Sequence, residues 1–384
     1  MSNDANSPRL VYLDHHATTP LDPRVLTAMM PFLTDQYANP SSAHHFGRQA
    51  QRCLREARKS VQHALAASHE SEIIFTSGAT EANTLAIIGA VAGRQWPDEG
   101  HIVTTAIEHH SVHAACDQLK KQGYSVTTVG VDSEGLVHPE DIAAVMTPHI
   151  TVVSVMLANN EIGTIQPIAS LADVVTRHGA LFHVDAVQGA GALPLNVDEL
   201  GVDLLTISAH KIYGPKGVGA LYVRRGTQIH AQFSGTQEYG LRAGTTNLAG
   251  IVGLATALRI AIEERTLEAH RVSGLRNKLE HGLLAAIPDA RLNGSARHRL
   301  PGNLSLTIPG IDATDVIQAL PDIALSAGSA CTTGTSKPSH VLSAIGLSPS
   351  EARATVRIGV GRWTSERDVD LAKRRIAEVV SELR

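Results

Sequence analysis

Short apolar runs recur along the chain, each followed at once by polar or small residues, with stretches of helical periodicity between them. Residues 11–13 read as a short strand and 21–33 as a helix with Pro23 near its start. Over 47–66, Ala50, Leu54, Ala57, Val61, Ala64 and Leu65 step by three and four, which predicts an amphipathic helix. Strands are expected at 72–75, 101–105, 125–129 and 152–156, with two more inside 181–222. Helices are expected between them at 79–91, 112–121 and 169–178. Strands alternating with helices in this way predict an α/β fold with a mostly parallel sheet wrapped on both faces. The pattern changes after Arg225. Residues 233–246 are a glycine-rich loop, and a long helical stretch runs over 248–286. A strand at 303–308, a helix at 313–320, a small-residue loop at 326–338, a strand at 354–358 and a helix at 365–384 complete a smaller α+β domain. The expected division is 15–258 for the large domain, and 1–14 with 259–384 for the small one.

The chain has 384 residues, 43% of them hydrophobic, which is ample for such a two-domain core. The formal net charge of -4, with no Lys/Arg run, gives no reason to expect direct nucleic-acid binding. Three widely spaced cysteines, Cys53, Cys116 and Cys331, argue against a disulfide framework and fit a reducing cytoplasm. No pair of them has metal-ligand spacing, so no metal is expected in the chain alone; Cys331 could serve as a cluster ligand only in a complex. The polar N-terminus does not resemble a signal peptide, and no apolar run is long enough for a membrane helix. Most of the 20 histidines are expected at the surface or as caps.

The candidate chemistry centres on 181–222, LFHVDAVQGAGALPLNVDELGVDLLTISAHKIYGPKGVGALY. One apolar run ends in Asp185 and another in Ser208-Ala209-His210-Lys211. Polar residues straight after a strand mark the carboxyl edge of an α/β sheet, where ligands bind. A carboxylate after one strand and a lysine after another suit pyridoxal phosphate (PLP), the lysine forming the Schiff base and the carboxylate keeping the pyridine nitrogen protonated. The small residues and hydroxyls of 76–83, at a strand-to-helix junction, suit a phosphate, although taken alone an ordinary capping turn explains them better. Cys53, beside an apolar helix face, reads as a half-buried structural thiol.

The segment SAHKIYGPKGVGALYVRR resembles the PLP-lysine segment of NifS/IscS-type cysteine desulfurases, in the class-V aminotransferase group of fold-type I PLP enzymes. The likeness extends to YLDHHATTP, FTSGATEANTLAI, AIEHHSV, ANNEIGTIQPI, FHVDAVQGAG, GLRAGT, SAGSACTTG and VRIGVGRWT, spread from residue 12 to residue 364. It implies a seven-stranded, mostly parallel sheet in the large domain, with the Cys331 loop on the small one. By resemblance, Lys211 is the Schiff-base lysine, Asp185 the partner of the pyridinium nitrogen, and Gln188 the residue bonding the pyridine oxygen. His109 matches the imidazole that stacks on the ring and serves as acid/base, while His110 is structural. Ala79, Thr80, Ser208 and His210 resemble the phosphate cup, and Thr245 the hydroxyl that reaches the phosphate of the partner subunit in a homodimer. Asn160 and Arg357 resemble the pair that binds the substrate carboxylate, and Arg242 a loop arginine near the site. Cys331 resembles the nucleophile that takes sulfur from L-cysteine as a persulfide.

The implied products are L-alanine and sulfur for an acceptor protein, such as an iron–sulfur scaffold or a tRNA-thiolation partner. A selenocysteine lyase or another class-V PLP enzyme is the alternative, and Cys331 discriminates, because desulfuration requires it. A non-catalytic scaffold of this fold would not need Lys211, Asp185 and His109 together. The chain departs from the family pattern at Ser234-Gly235-Thr236-Gln237-Glu238, where Gly-Gly-Gly-Gln-Glu is common, and at Thr246, where Glu is common. These departures bear on acceptor contacts rather than on the PLP chemistry.

Overall fold

The computed structural model describes residues 10–94, 100–327 and 338–384. Cys331 lies outside the described residues. The strands in chain order are β1 (Val11–Tyr12), β2 (Ile73–Thr76), β3 (His101–Thr105), β4 (Ser125–Val129), β5 (Ile150–Met156) and β6 (Leu181–Asp185), then β7 (Leu204–Ser208), β8 (Gly219–Val223), β9 (Arg291–Leu292), β10 (Asn303–Thr307), β11 (Ile323–Ala324) and β12 (Thr355–Gly359). The first four helices are α1 (Pro23–Leu33), α2 (His45–Ala64), α3 (Ala79–Gly93) and α4 (His110–Lys121).

A seven-stranded sheet in the order β2-β8-β7-β6-β5-β3-β4 forms the centre of the molecule. Its pairs are parallel except that β8 runs antiparallel to both β2 and β7. Every residue of β5, β7 and β8 is buried, as expected for strands covered on both faces. Successive side chains pack into opposite layers. Leu204 and Val152 join one apolar cluster, while their neighbours Leu205 and Val153 join the other. The carboxyl ends of β2, β3, β5, β6 and β7 therefore share one edge, the edge on which Asp185 and Lys211 fall.

A three-stranded antiparallel sheet, β12-β10-β9, and the parallel pair β1-β11 carry a second core. The helix Leu248–Ala286 serves both cores: its buried residues up to Ala261 pack with the large sheet, and those from Val272 onward pack with the small one. Among the described residues, no helix is long and apolar enough to cross a membrane.

The helices Pro139–Val145, His340–Ala344 and Pro349–Arg353 were not expected from the sequence pattern. At seven and five residues they are too short to show a period, although Pro139 and Pro349 mark first-turn positions.

Candidate active site

The sheet edge builds one cavity of about 470 Å³, lined by Ala79, Thr80, His109, Asn160, Asp185, Gln188, Ser208, His210, Lys211 and Arg357. These are the site residues expected from the sequence, apart from Thr245 and Cys331. Thr245 instead lines a neighbouring cleft with Ser77, Gly217 and Arg242, and Arg242 pairs with Glu81 at 2.8 Å.

Lys211 closes the turn Ala209–Lys211 that follows β7. Its Nζ donates to the carbonyls of His16 (2.5 Å) and Ala17 (2.8 Å). The segment before α1 also fastens this turn, because Thr19 Oγ1 donates to the His210 carbonyl (2.9 Å) and accepts from the Tyr213 N–H (2.8 Å). Gln188 grips the same segment: its Nε2 donates to the His16 carbonyl and its Oε1 accepts from His16 Nδ1, both at 3.0 Å. Burial pushes His16 down to about 3, so its ring is neutral and acts as a donor to Gln188.

Asp185 ends β6 and is buried. Its Oδ1 accepts from the Val187 N–H (3.0 Å) and its Oδ2 from Asn83 Nδ2 (2.8 Å). Asn83, on α3, also donates to Ser111 Oγ at 2.9 Å. His109 is the N-cap of α4, and its Nδ1 lies 2.8 Å from Ser111 Oγ and 3.2 Å from the Ser111 N–H. Burial holds His109 below its ordinary value, and Asp185 opposes that effect. Burial also pushes Glu108 up to about 8, and it pushes His210 down to about 4, helped by Lys211.

Where β2 enters α3, the N-cap Gly78 has φ +152°, a conformation that favours glycine, and it has no side chain to cap the helix. The first-turn N–H groups of α3 are thus left for a ligand. A Cβ at Gly219 would lie 2.9 Å from the Gly78 carbonyl carbon, so the floor here accepts no side chain.

Arg357 is buried in the middle of β12. Its Nη2 donates to Asp14 Oδ1 (2.9 Å) and its Nη1 to the Asn160 carbonyl (3.3 Å), while its Nε meets no partner among the described residues. The backbones of Arg357 and Ser326 bond in both directions, which ties the segment leading toward Cys331 to the strand that carries Arg357. The other two thiols do not line this cavity. Cys116 is buried and pushed up to about 12 by that burial, and Cys53 is half-buried and also raised, first by burial.

A family model described as aminotransferase class-V matches residues 11–371. The chain is 43% identical over 379 residues to the cysteine desulfurase IscS of Dictyoglomus turgidum, covering 98% of this chain and 96% of that one. The chain belongs to the cysteine desulfurase branch of the class-V aminotransferase family. The cysteine desulfurase NifS of Azotobacter vinelandii is 41% identical over 377 residues, covering 97% of this chain and 93% of that one. A solved structure described as a NifS-like protein superposes with a TM-score of 0.91 at 37% identity, covering 97% of this chain and all of that one.

Cysteine desulfurases are PLP enzymes, and this cavity fits that cofactor. It has an amine at Lys211, a carboxylate at Asp185 for a ring N–H, and a helix N-terminus with a glycine floor for a phosphate. The sequence reading did not single out His16, Asn83 or Ser111. An asparagine inside a helix and a serine after a histidine look like ordinary surface polarity, and only their long-range partners give them a role.

Proposed function

We propose that this chain converts L-cysteine to L-alanine and passes the sulfur through Cys331 to an acceptor. The observation that carries this reading is the convergence of Lys211, Asp185, His109 and Arg357 on one cavity, within a chain 43% identical to a cysteine desulfurase. Lys211 would hold PLP through its amine, with Asp185 placed for the ring nitrogen and Gln188 for the ring oxygen. Ala79, Thr80, Ser208 and His210 hold the phosphate. When bound, PLP supplies the electron sink that lets the bond from the substrate Cα to hydrogen break.

The protein's own groups do the rest. Arg357 and the Asn160 side chain bind the substrate carboxylate, and the buried fork of Arg357 sets its orientation. The Lys211 amine would carry the Cα proton. His109 donates its ring N–H toward the substrate thiol. The Cys331 thiolate attacks the substrate sulfur, forming an S–S bond as the C–S bond breaks. The electron pair left on the carbon is protonated, so that L-cysteine and a thiol become L-alanine and a persulfide.

The acceptor in this proposal is a partner protein, such as an iron–sulfur scaffold or a thiolation enzyme, and the compartment is the cytoplasm. We place the domain division at 15–258 for the large unit, and at 1–14 with 259–384 for the small one. The active form is a homodimer. Thr245 lies outside the cavity of its own chain, which suits a hydroxyl that serves the partner's phosphate. The exposed rings of Tyr37, Phe46, Phe233 and Tyr239 are the kind of apolar surface a dimer interface covers.

The test is alanine production by PLP-loaded protein supplied with L-cysteine and a thiol reductant. Wild type makes alanine, whereas Lys211→Ala loses both the visible absorption of the lysine-bound cofactor and the activity. An unchanged absorption spectrum in Lys211→Ala would remove the lysine from its role.

A further inference from the structure

We infer that Asn83 and Ser111 are positioning residues that fix which nitrogen of His109 carries the proton, taking their orientation from Asp185. The inference rests on reading the cavity as a PLP site, and it adds a relay behind that site. Asn83 is fully buried and Ser111 nearly so.

The direction of each hydrogen bond follows from what each atom can do. The Asp185 carboxylate only accepts, so the Asn83 atom 2.8 Å from Oδ2 is the amide nitrogen; the flipped amide would set oxygen against oxygen. The second hydrogen of that nitrogen reaches Ser111 Oγ at 2.9 Å. Ser111 Oγ thus accepts from Asn83 and keeps its own proton for His109 Nδ1, 2.8 Å away. The Ser111 backbone N–H, which can only donate, approaches the same nitrogen at 3.2 Å. Two donors converge on Nδ1, so Nδ1 is bare and the neutral ring carries its proton on Nε2.

The ring then meets the substrate thiol as a neutral N–H donor. A second proton would have to enter at Nδ1 against both donors. The groups facing the ring are Asp185, which favours that second proton, and Lys211, His110 and His340, which oppose it, as burial does most of all. The relay also couples the two sides of the cavity, because the carboxylate that serves the cofactor nitrogen sets the tautomer of the imidazole opposite.

The experiment measures two pH profiles on PLP-loaded enzyme: kcat/KM for alanine formation, and the visible absorption of the bound cofactor. Ser111→Ala removes one donor to the neutral ring, so the acid limb of kcat/KM moves to higher pH by about half to one unit. Ser111→Thr keeps the hydroxyl and restores the position of the limb. Asn83→Asp keeps the shape but sets a carboxylate against Asp185, and it shifts the absorption titration. Asn83→Ala breaks the relay one bond further back, and moves the limb in the same direction if Ser111→Ala fails to load cofactor.

Variants that bind cofactor and superpose on wild type in both profiles would overturn the relay. A wild type that makes no alanine, while its absorption titration still shifts on Asn83→Asp, would instead overturn the desulfurase reading and leave the relay in place.

Discussion

At Glu108 the chain keeps a carboxylic acid fully out of water. Thr105 Oγ1 (2.6 Å) and the Met156 N–H (2.9 Å) both reach Oε1, while Oε2 meets no partner among the described residues. Burial pushes the group up to about 8, against about 4.3 in an unfolded chain. Between these values the folded protein holds one more proton than the unfolded one, so this group's stabilising contribution is lost as pH rises through that window. Glu108→Gln removes the titration. Denaturation midpoints measured from about pH 5 to about pH 9 should therefore fall more steeply for wild type than for the variant; parallel curves would contradict the buried, protonated acid. Arg357→Ala should raise KM for L-cysteine about ten- to a hundredfold, the worth of a charge-assisted pair. An unaltered KM would move the carboxylate site elsewhere. Lys211 and Asp185 were legible in the sequence because each follows an apolar run at a sheet edge. Asn83 and His16 were not, because their partners lie far away in sequence and burial of a polar side chain leaves no periodic mark.

Between elements, a buried ion pair joins α2 to the loop after β8. Arg58 donates to both carboxylate oxygens of Glu238 at 2.8 Å, and Glu238 also accepts from the Phe75 N–H at 2.8 Å. The Arg58 guanidinium lies 4.7 Å from the Phe75 ring centroid and 5.2 Å from that of Tyr239. Glu238 and Tyr239 hold φ values of +47° and +57°, which non-glycine residues rarely adopt, so this clamp maintains a strained turn. Arg58→Ala leaves a buried carboxylate without its cation and should destabilise the protein by about 3–5 kcal/mol. A change under about 1 kcal/mol in denaturant unfolding would show that water reaches Glu238. Arg58 sits four residues after Leu54 and three before Val61, at the edge of the helix's apolar face, where a charge is ordinarily solvated by its long stem and its burial leaves no mark in the pattern. Six strands of the large sheet were legible because apolar runs bounded by small residues are distinctive. The seventh, β8, was not expected, because Gly219 and Ala220 open it inside a glycine-rich stretch that reads as loop.

Across the whole molecule, the long helix Leu248–Ala286 links the core that carries Lys211 to the core that carries Arg357. Lys211 and Arg357 meet in one cavity, so the proposed reaction depends on how these two parts are held together. The Arg362 side chain supports that arrangement, bonding Asp22 and Glu268 at 2.8 Å each. The sequence motifs pointed to this assembly because they are scattered over nearly the full length of the chain, yet only folding shows which of them face one another.

In the proposed reaction, sulfur leaves L-cysteine onto Cys331. Intact and peptide mass spectrometry of PLP-loaded protein, after brief exposure to L-cysteine without reductant, tests it most directly. A gain of one sulfur atom is expected on the peptide carrying Cys331, with matching L-alanine, and no such gain in Cys331→Ala. Sulfur found on Cys53 or Cys116 instead, or alanine formed undiminished by Cys331→Ala, would contradict it.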